Sequence, residues 1–289
     1  MTALFHCIDD GAPEETVRLL AEACASRSVE FRAIEASTFR YRPQDRLPPH
    51  SMLYRPAVSR AAQLVEEFLL RDDVASFYPD VDAALFSCGA PRRQLERVGL
   101  TVPRSIPVAC TDAPVLADHV ERLGGFPVIV KIGGGEGGIG VMRADSMPVL
   151  RALLDHLVRG QGQVPELSAY VPDAMHHRVI VVGDRAVATY ENPIEPDDFR
   201  SKPSEDPAAY TADVPAELAS LALAATRSQR LRFGGVDLLR HPSGRLYVLE
   251  VNFPCFFAQA TLGGGLDIAG PMIDELLAVS AALRTNRPR

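Results

Sequence analysis

The sequence predicts a mixed α/β and α+β fold, because strands and helices alternate differently in its two parts. Within the first 90 residues, short strand-like runs alternate with amphipathic helices, a pattern typical of a small, mostly parallel sheet. From Phe126 onward, strand-like runs come in pairs around glycine-containing turns, which predicts hairpins with helices between them. We therefore expect a parallel α/β domain over residues 1–90, followed by an α+β region.

Turn, capping and periodicity signals place the elements in order. Pro13 and Glu14 open the first helix, Ser59 caps the second, and Gly124 with Gly125 ends a later one. The predicted strands are 3–8, 29–36, 52–55, 74–78, 126–132, 140–144, the hairpin 177–190 with its turn at 183–184, and the hairpin 236–252. The predicted helices are 14–26, 60–70, 92–99, 111–124, 147–160, 215–230 and a last one within 266–284.

Composition excludes several classes of protein. A net charge of −7 argues against a general nucleic-acid binder, which needs concentrated positive charge. No apolar run approaches the roughly 20 residues that span a bilayer, and the acidic start of the chain is unlike a secretory signal. The five cysteines show no CxxC spacing, which predicts reduced thiols in a cytoplasmic protein that has no membrane partner.

A predicted hairpin over residues 233–252 carries three oxygen ligands on one face. If residues 241–244 form the turn, Arg240 pairs with Arg245 and Asp237 falls opposite Val248. Side chains alternate along a strand, so Glu250 and Asn252 then share the face of Asp237. Two carboxylates and an amide oxygen suit Mg²⁺. On this segment alone, ordinary polar positions on a half-exposed hairpin explain the pattern equally well.

A glycine-rich stretch, residues 133–140 and here called the glycine loop, follows Lys131. Its six glycines permit the backbone to surround a phosphate. The G-x-G-x-x-G match within it is misleading, because a strand rather than a helix follows, and no Walker A lysine follows either. The lysine instead precedes the loop, where its ammonium can reach phosphates held beneath it. A simple hairpin turn is the alternative.

Together, Lys131, the glycine loop, Arg178 in HHRVIVVGD, Asp237 in GGVDLL and the ending LEVN resemble the ATP-grasp superfamily. Within it, the chain is similar to ribosomal-protein-modification and glutathione-synthetase-like ligases, over roughly residues 88–280. The resemblance implies an ATP-grasp fold, in which two α+β subdomains, 91–170 and 171–289, clamp ATP. It also implies a ligase that activates a carboxylate as an acylphosphate and joins it to the amine of a small amino acid, peptide or similar metabolite.

The resemblance assigns roles to individual positions. Lys131 and Arg178 are the implied catalytic residues, the cofactors are ATP and Mg²⁺ (or Mn²⁺ in its place), and a homodimer is left open. The implied ATP-binding positions are Lys131, Gly134, Gly135, Gly137, Gly138, Tyr170, Val171 and Arg178. The implied metal ligands are Asp237, Glu250 and Asn252.

Other positions are weaker candidates. Arg55, Arg200, Lys202 and Gly264 are candidates to bind substrate. Related ligases carry a further lysine upstream of Lys131, whereas this chain has only Arg92 and Arg93 there. His176 and His177 are interpreted as loop histidines, and Cys255 as a buried structural thiol.

Two alternatives to a ligase stay open at this point. One is a small-molecule kinase of the same fold, which stops at phosphate transfer. The other is an ATP-binding regulatory module without catalysis.

Overall fold

Among the residues that the structure describes, the strands form three sheets, which follow one another along the chain. The computed structural model describes residues 2–11, 14–85, 91–133, 138–194 and 198–285. The strands are β1 (Leu4–Asp9), β2 (Glu30–Glu35), β3 (Met52–Tyr54), β4 (Ser105–Ile106), β5 (Val128–Lys131), β6 (Val141–Ala144), β7 (Glu166–Ala169), β8 (Met175–Val182), β9 (Arg185–Asn192), β10 (Tyr210–Thr211), β11 (Phe233–Arg240) and β12 (Leu246–Asn252). The helices are α1 (Glu14–Ser26), α2 (Arg60–Leu69), α3 (Val81–Leu85), α4 (Pro91–Arg97), α5 (Ala113–Leu123), α6 (Met147–Leu154), α7 (Ala216–Ser228), α8 (Ala258–Leu262) and α9 (Ala269–Thr285).

The first sheet is parallel, as the alternation of strands and helices predicts. Its order is β2-β1-β3. Helix α2 begins where expected, because the Ser59 hydroxyl accepts a hydrogen bond from the Ala62 amide. The predicted strand 74–78 is wrong in extent: only Ala75 pairs, with Met52. The chain leaves the sheet there because Phe77 turns inward and packs against Tyr54, with ring centroids 5.3 Å apart.

The second sheet is antiparallel, with the order β4-β7-β5-β6. It packs its apolar face on α5 and α6, the latter continued by a π-helical turn over Asp155–Gly160. Asp112 caps α5 at its start, and Gly124 ends it in the left-handed conformation, so the predicted stop of this helix is confirmed. This sheet places Lys131 at the end of β5.

The third sheet, with the order β10-β9-β8-β11-β12, is also antiparallel. Because side chains alternate, Val179 and Val236 face α7, while Ile180 and Phe233 face the N-terminal sheet, α8 and α9. The predicted hairpin turn at residues 183–184 is confirmed. No described helix is long and apolar enough to cross a membrane.

One apolar core joins the N-terminal sheet to the third sheet. It contains Phe5, Tyr54 and Phe77 from the N-terminal part, and Phe233 and Phe257 from the C-terminal part. The domain boundaries at residues 90 and 170 stay predictions, and this core crosses the first of them. The N-terminal part thereby buttresses one face of the third sheet.

We expect Phe233→Ala to destabilise the whole chain, because the ring lies at the centre of this shared core. Phe233 is fully buried, and its centroid lies 5.0 Å from that of Phe77 and 5.7 Å from that of Tyr54. The substitution should lower the free energy of unfolding by about 3–5 kcal/mol in urea titrations. Val164→Ala, at a position 65% exposed, should change it by less than about 0.5 kcal/mol. A loss below about 1 kcal/mol for Phe233→Ala would contradict this assignment of the core.

Candidate active site

The β11–β12 hairpin brings Asp237 and Glu250 together by a register different from the predicted one. Arg240 pairs with Leu246, not Arg245, so the predicted pairing is wrong by one residue near the turn. A bulge between Asp237 and Leu238 then shifts the register by one more residue. Leu238 pairs with Val248, whereas Asp237 pairs directly with Glu250. Leu249 is the extra residue of the bulge. The two carboxylates therefore still share a face, and they are direct rather than diagonal neighbours.

Asp237 lies at the centre of a dense polar network. The Arg178 side chain, on the neighbouring strand β8, donates from Nε to Oδ1 and from a terminal nitrogen to Oδ2, both at 2.7 Å. Asn252 Nδ2 donates to Oδ2 at 3.0 Å, and His176 Nε2 lies 3.3 Å from Oδ1. Burial alone would raise the pKa of the Asp237 carboxyl, but the charge of Arg178 and the contacts of His176 and Arg178 hold that pKa well below its usual range. Asp237 is therefore a carboxylate throughout the neutral range.

The chemistry of this donor set fits a small, hard cation. Glu250 is exposed and makes no hydrogen bond or ion pair with any residue that the structure describes, so its oxygens are available. Asn252 uses its amide nitrogen towards Asp237 and the Gly235 carbonyl, which leaves its Oδ1 as an acceptor. The described residues hold no cluster of three His, Cys, Asp or Glu, in keeping with a site of two carboxylates and one amide. Such a set suits Mg²⁺ completed by water and phosphate oxygens.

Gly235 leaves room for the Cys255 thiol, which packs beside Arg178. A Cβ at this position would lie 3.4 Å from the Cδ of Arg178 and only 2.5 Å from the sulfur of Cys255. The Cys255 thiol is buried, as expected, and this burial raises its pKa to about 11. The thiol therefore fills space beneath the ion pair and stays protonated.

Lys131, at the end of β5 in the second sheet, and Arg92, on helix α4, lie near this network. Burial lowers the pKa of the Lys131 ammonium, and the charge of Arg92 lowers it further, while Glu250, Glu166 and Asp237 act in the opposite sense. Lys131 thus interacts with carboxylates of both sheets. Arg92 lies 3.1 Å from Glu166, the cross-strand partner of Lys131, and its side chain is only 10% exposed.

The two upstream arginines differ sharply. Arg92 also donates to the Pro103 carbonyl at 2.9 Å and to the Ser168 hydroxyl at 3.2 Å, so its guanidinium is held inside the structure. Arg93 is 73% exposed and pairs with Glu96 on its own helix. Only Arg92 lies beside Lys131.

The structure describes part of the glycine loop and the whole of the predicted adenine hinge. Gly134, Gly135 and Gly137 lie outside the described residues. Gly138, at a φ of +80°, accepts a hydrogen bond from the Val141 amide. Tyr170 and Val171 directly follow β7, and the Arg143 guanidinium lies 4.8 Å above the Tyr170 ring. The binding roles of these residues stay predictions.

Arg200 and Lys202 belong to a loop, residues 193–202, that reaches the glycine loop. The Arg200 guanidinium pairs with Asp198 at 2.8 Å, and the hydrogen bonds from Arg200 lower the pKa of that carboxyl to about 2. The Arg200 guanidinium also donates a hydrogen bond to the Gly138 carbonyl at 3.3 Å. The Lys202 amide donates to the Pro193 carbonyl at 3.1 Å, which closes the base of the 193–202 loop.

The structure argues against a substrate role for Arg55. It is 5% exposed, and its Nε donates to Glu66 at 2.8 Å while a terminal nitrogen donates to the Ala57 carbonyl. Glu66 also accepts from the Tyr78 hydroxyl at 3.1 Å. The sequence placed Arg55 after a strand but could not show that Glu66, one helix later, would neutralise it in the core.

Gly264 has a structural reason for being glycine. A Cβ there would lie 2.3 Å from the Tyr210 side chain and 2.9 Å from the Ala260 carbonyl oxygen. Gly264 lies between the short helix α8, which the sequence did not predict, and α9. Close packing explains Gly264, and its role towards substrate stays a prediction.

His176 is the residue that the sequence interpretation missed. It lies on β8 rather than in a loop, is 6% exposed, and contacts both Asp237 and Ser201. The signal was its spacing: His176 precedes Arg178 by two positions, and residues two apart on a strand share a face.

We expect the Arg178–Asp237 pair to show a large coupling free energy in a double-mutant cycle. Arg178→Met alone should cost about 3–5 kcal/mol, because it leaves a buried carboxylate without a partner. Arg178→Met combined with Asp237→Leu should recover much of that loss. The exposed pair Arg18–Glu22, at 52% and 59% exposure, is the control and should couple by less than about 1 kcal/mol. Equal coupling for the two pairs, measured by urea denaturation, would contradict the described network.

We expect Lys131→Met to stabilise the ligand-free protein while weakening nucleotide binding. A lysine whose pKa falls on folding reduces stability at every pH below its unfolded pKa, and that cost disappears as the pH rises through this value. The variant should therefore unfold at a higher urea concentration at pH 7, and the difference from the parent should shrink at alkaline pH. Arg122→Met, at a 64% exposed site, should stay within about 0.5 kcal/mol of the parent. If the Lys131→Met protein were less stable than the parent at pH 7, burial of the Lys131 ammonium would not be destabilising, and the prediction would be wrong.

Comparison with known proteins identifies the family of this chain. The family model of the RimK-like ATP-grasp domain matches residues 95–276. A ribosomal protein bS6–L-glutamate ligase of Escherichia coli O139:H28 is 34% identical over 159 residues, which cover 54% of this chain and 52% of that protein. The chain thus spans about half the length of this curated relative.

Solved structures share the fold along almost the whole chain. ATP-grasp ligase PsnB, complexed with minimal precursor, Mg and ADP, superimposes with a TM-score of 0.72 at 19% identity, over 97% of this chain and 99% of that one. Macrocyclase MdnC of Microcystis aeruginosa MRC, bound with precursor peptide MdnA, gives 0.69 at 12% identity, over 95% and 99%. At such identities the likeness shows the ATP-grasp fold, as the sequence predicted. Since the family model matches more than half of the residues, the chain belongs to the RimK-like ATP-grasp family.

Proposed function

We propose that this protein is an ATP- and Mg²⁺-dependent ligase that activates a carboxylate as an acylphosphate and joins it to an amine. The observation that carries this proposal is the convergence of two sheets on one charged cleft. Lys131, from the second sheet, interacts with Asp237 and Glu250 of the third. Transfer of a phosphoryl group needs positioning and charge neutralisation rather than a protein nucleophile, and this cleft offers both.

Each side chain has a role that follows from its charge and place. Lys131 would bind the phosphates beneath the glycine loop. Arg178, fixed by its two bonds to Asp237, would lie next to the γ-phosphate and the reacting carboxylate. Asp237, Glu250 and Asn252 would hold Mg²⁺, which when bound neutralises charge on the phosphate oxygens. Tyr170 and Val171 would line the adenine side of the cleft.

Arg92 is the residue we propose in place of the missing upstream lysine. Its guanidinium lies among Glu166, Ser168 and Lys131, whereas that of Arg93 points to solvent. Arg92→Ala should raise the KM for ATP by about ten-fold or more, the effect of losing one charge-assisted contact. Arg93→Ala, the matched control, should leave this KM unchanged. Equal effects of the two substitutions would contradict the assignment.

We propose a peptide or protein as one of the two substrates. The names of the relatives support this class, since they include a ligase of a ribosomal protein and enzymes bound with precursors. They give no support to the kinase or the non-catalytic module. Arg200 and Lys202 on the 193–202 loop remain the candidates to contact this substrate, together with the Gly264 region.

The test is ADP release with Mg-ATP in the presence of pooled amino acids, dipeptides and longer peptides, with and without hydroxylamine. A hydroxamate formed only with particular pool members would support an acylphosphate, while a stable phosphoester without hydroxamate would indicate a kinase. Lys131→Ala and Glu250→Ala should each lower turnover by about 10²-fold or more, as expected for groups that stabilise transferring charge. Failure of the purified protein to bind ATP with Mg²⁺ would refute the proposal.

A further inference from the structure

A buried histidine joins the Asp237 carboxylate to the 193–202 loop, and the reaction proposed above does not use it. The His176 side chain is 7% exposed. Its Nε2 lies 3.3 Å from Asp237 Oδ1, and its Nδ1 lies 2.5 Å from Ser201 Oγ. The imidazole therefore bridges the third sheet and the loop with its two ring nitrogens.

The partners of the ring determine where its proton lies. The Asp237 carboxylate can only accept, so the nitrogen that faces it, Nε2, is the one that carries hydrogen. Nδ1 is then an acceptor, which suits the hydroxyl of Ser201 and the amide nitrogen of Asn192, 3.1 Å away. Asn192 is the cross-strand neighbour of His176 on β9 and is itself 5% exposed. Nδ1 thus has two hydrogen-bond partners, while Nε2 lies 3.3 Å from Asp237 Oδ1 without hydrogen-bond geometry.

Ser201 lies between the two residues of the loop that were predicted to contact substrate. The Ser201 backbone forms an antiparallel bridge with Ile194, near the start of the loop. On one side, Arg200 donates to the Gly138 carbonyl of the glycine loop. A continuous polar chain therefore runs from Asp237 through His176, Ser201 and Arg200 to Gly138.

We propose that His176 is a positioning residue, which docks the 193–202 loop onto the carboxylate that also serves the metal site. Through Arg200, the same segment also contacts Gly138, near the end of the glycine loop. Docking in advance reduces the entropy that substrate binding must otherwise remove from the loop. The purpose of this arrangement rests on the proposed function, but the docking itself is a property of the ligand-free protein.

The first test measures docking without any ligand. Amide hydrogen exchange of residues 200–202 and trypsin cleavage after Arg200 both report how firmly the loop is held. Ser201→Ala removes the hydroxyl without touching Asp237, and His176→Phe keeps a ring of similar shape without its nitrogens. Both variants should accelerate exchange and cleavage by about ten-fold, the effect of one lost hydrogen bond. His176→Asn, which retains an acceptor near the position of Nδ1, should restore part of the protection.

A surface pair of the same chemistry provides the matched control. In the turn between β11 and β12, His241 Nδ1 lies 2.8 Å from Ser243 Oγ, and both side chains are exposed to solvent. Ser243→Ala should leave exchange at residues 200–202 at the parent rate. This control separates loss of the specific contact from a general effect of removing a serine hydroxyl.

The second test measures the consequence of docking. In Ser201→Ala, the KM of the peptide substrate should rise about ten-fold while kcat changes little, because the cost falls on ordering the loop. Unchanged exchange and cleavage in Ser201→Ala would overturn the proposal, whatever His176→Phe does. If the parent shows no ATP-dependent turnover, the proposed function fails, while the exchange experiment still decides whether His176 docks the loop.

Discussion

The buried ion pair between Arg178 and Asp237 is the constraint on which the site depends. It joins the two central strands of the third sheet through two 2.7 Å hydrogen bonds. Removing both charges from water costs several kcal/mol per ion, so the pair is tolerated only with its full set of partners. Asn252 is one such partner, since its side-chain amide donates a hydrogen bond to Asp237. The pair is therefore better understood as prearranged charge than as a source of stability.

The second sheet places positive charge opposite this centre. Lys131 is held in a buried position that disfavours its ammonium, and Arg92 makes that position less favourable still. Nearby carboxylates compensate only in part, since the pKa of Lys131 remains lowered. An anion between the two sheets would relieve this imbalance, which is the electrostatic reason why a cleft of this kind suits a polyphosphate. The aromatic core that joins the N-terminal part to the third sheet supports the other face of the same site.

Loops complete the site from the outside. Arg200 contacts the glycine loop, and its neighbour Ser201 contacts His176, so both loops connect to Asp237. The Asp237 carboxylate thus faces first the Arg178 guanidinium, second the predicted metal position, and third His176, which contacts Ser201 of the 193–202 loop. Sequence spacing indicated only the second relation, because Asp237, Glu250 and Asn252 alternate on paired strands. It did not indicate the third, since Ser201 and His176 belong to elements whose contact only the folded chain creates.

The ATP-grasp fold followed from the resemblance of the motifs to that superfamily. The sequence by itself determined the order of most helices and strands and the residues that share one face of the β11–β12 hairpin. These features depend on local periodicity, capping and turn chemistry, which act over a few residues. Tertiary structure decided the rest. The bulge at Leu249 returned Asp237 and Glu250 to one face of the hairpin, and Glu66 pairs with Arg55 in a buried position. Both outcomes depend on contacts between residues distant along the chain or on backbone irregularity, which side-chain alternation cannot encode.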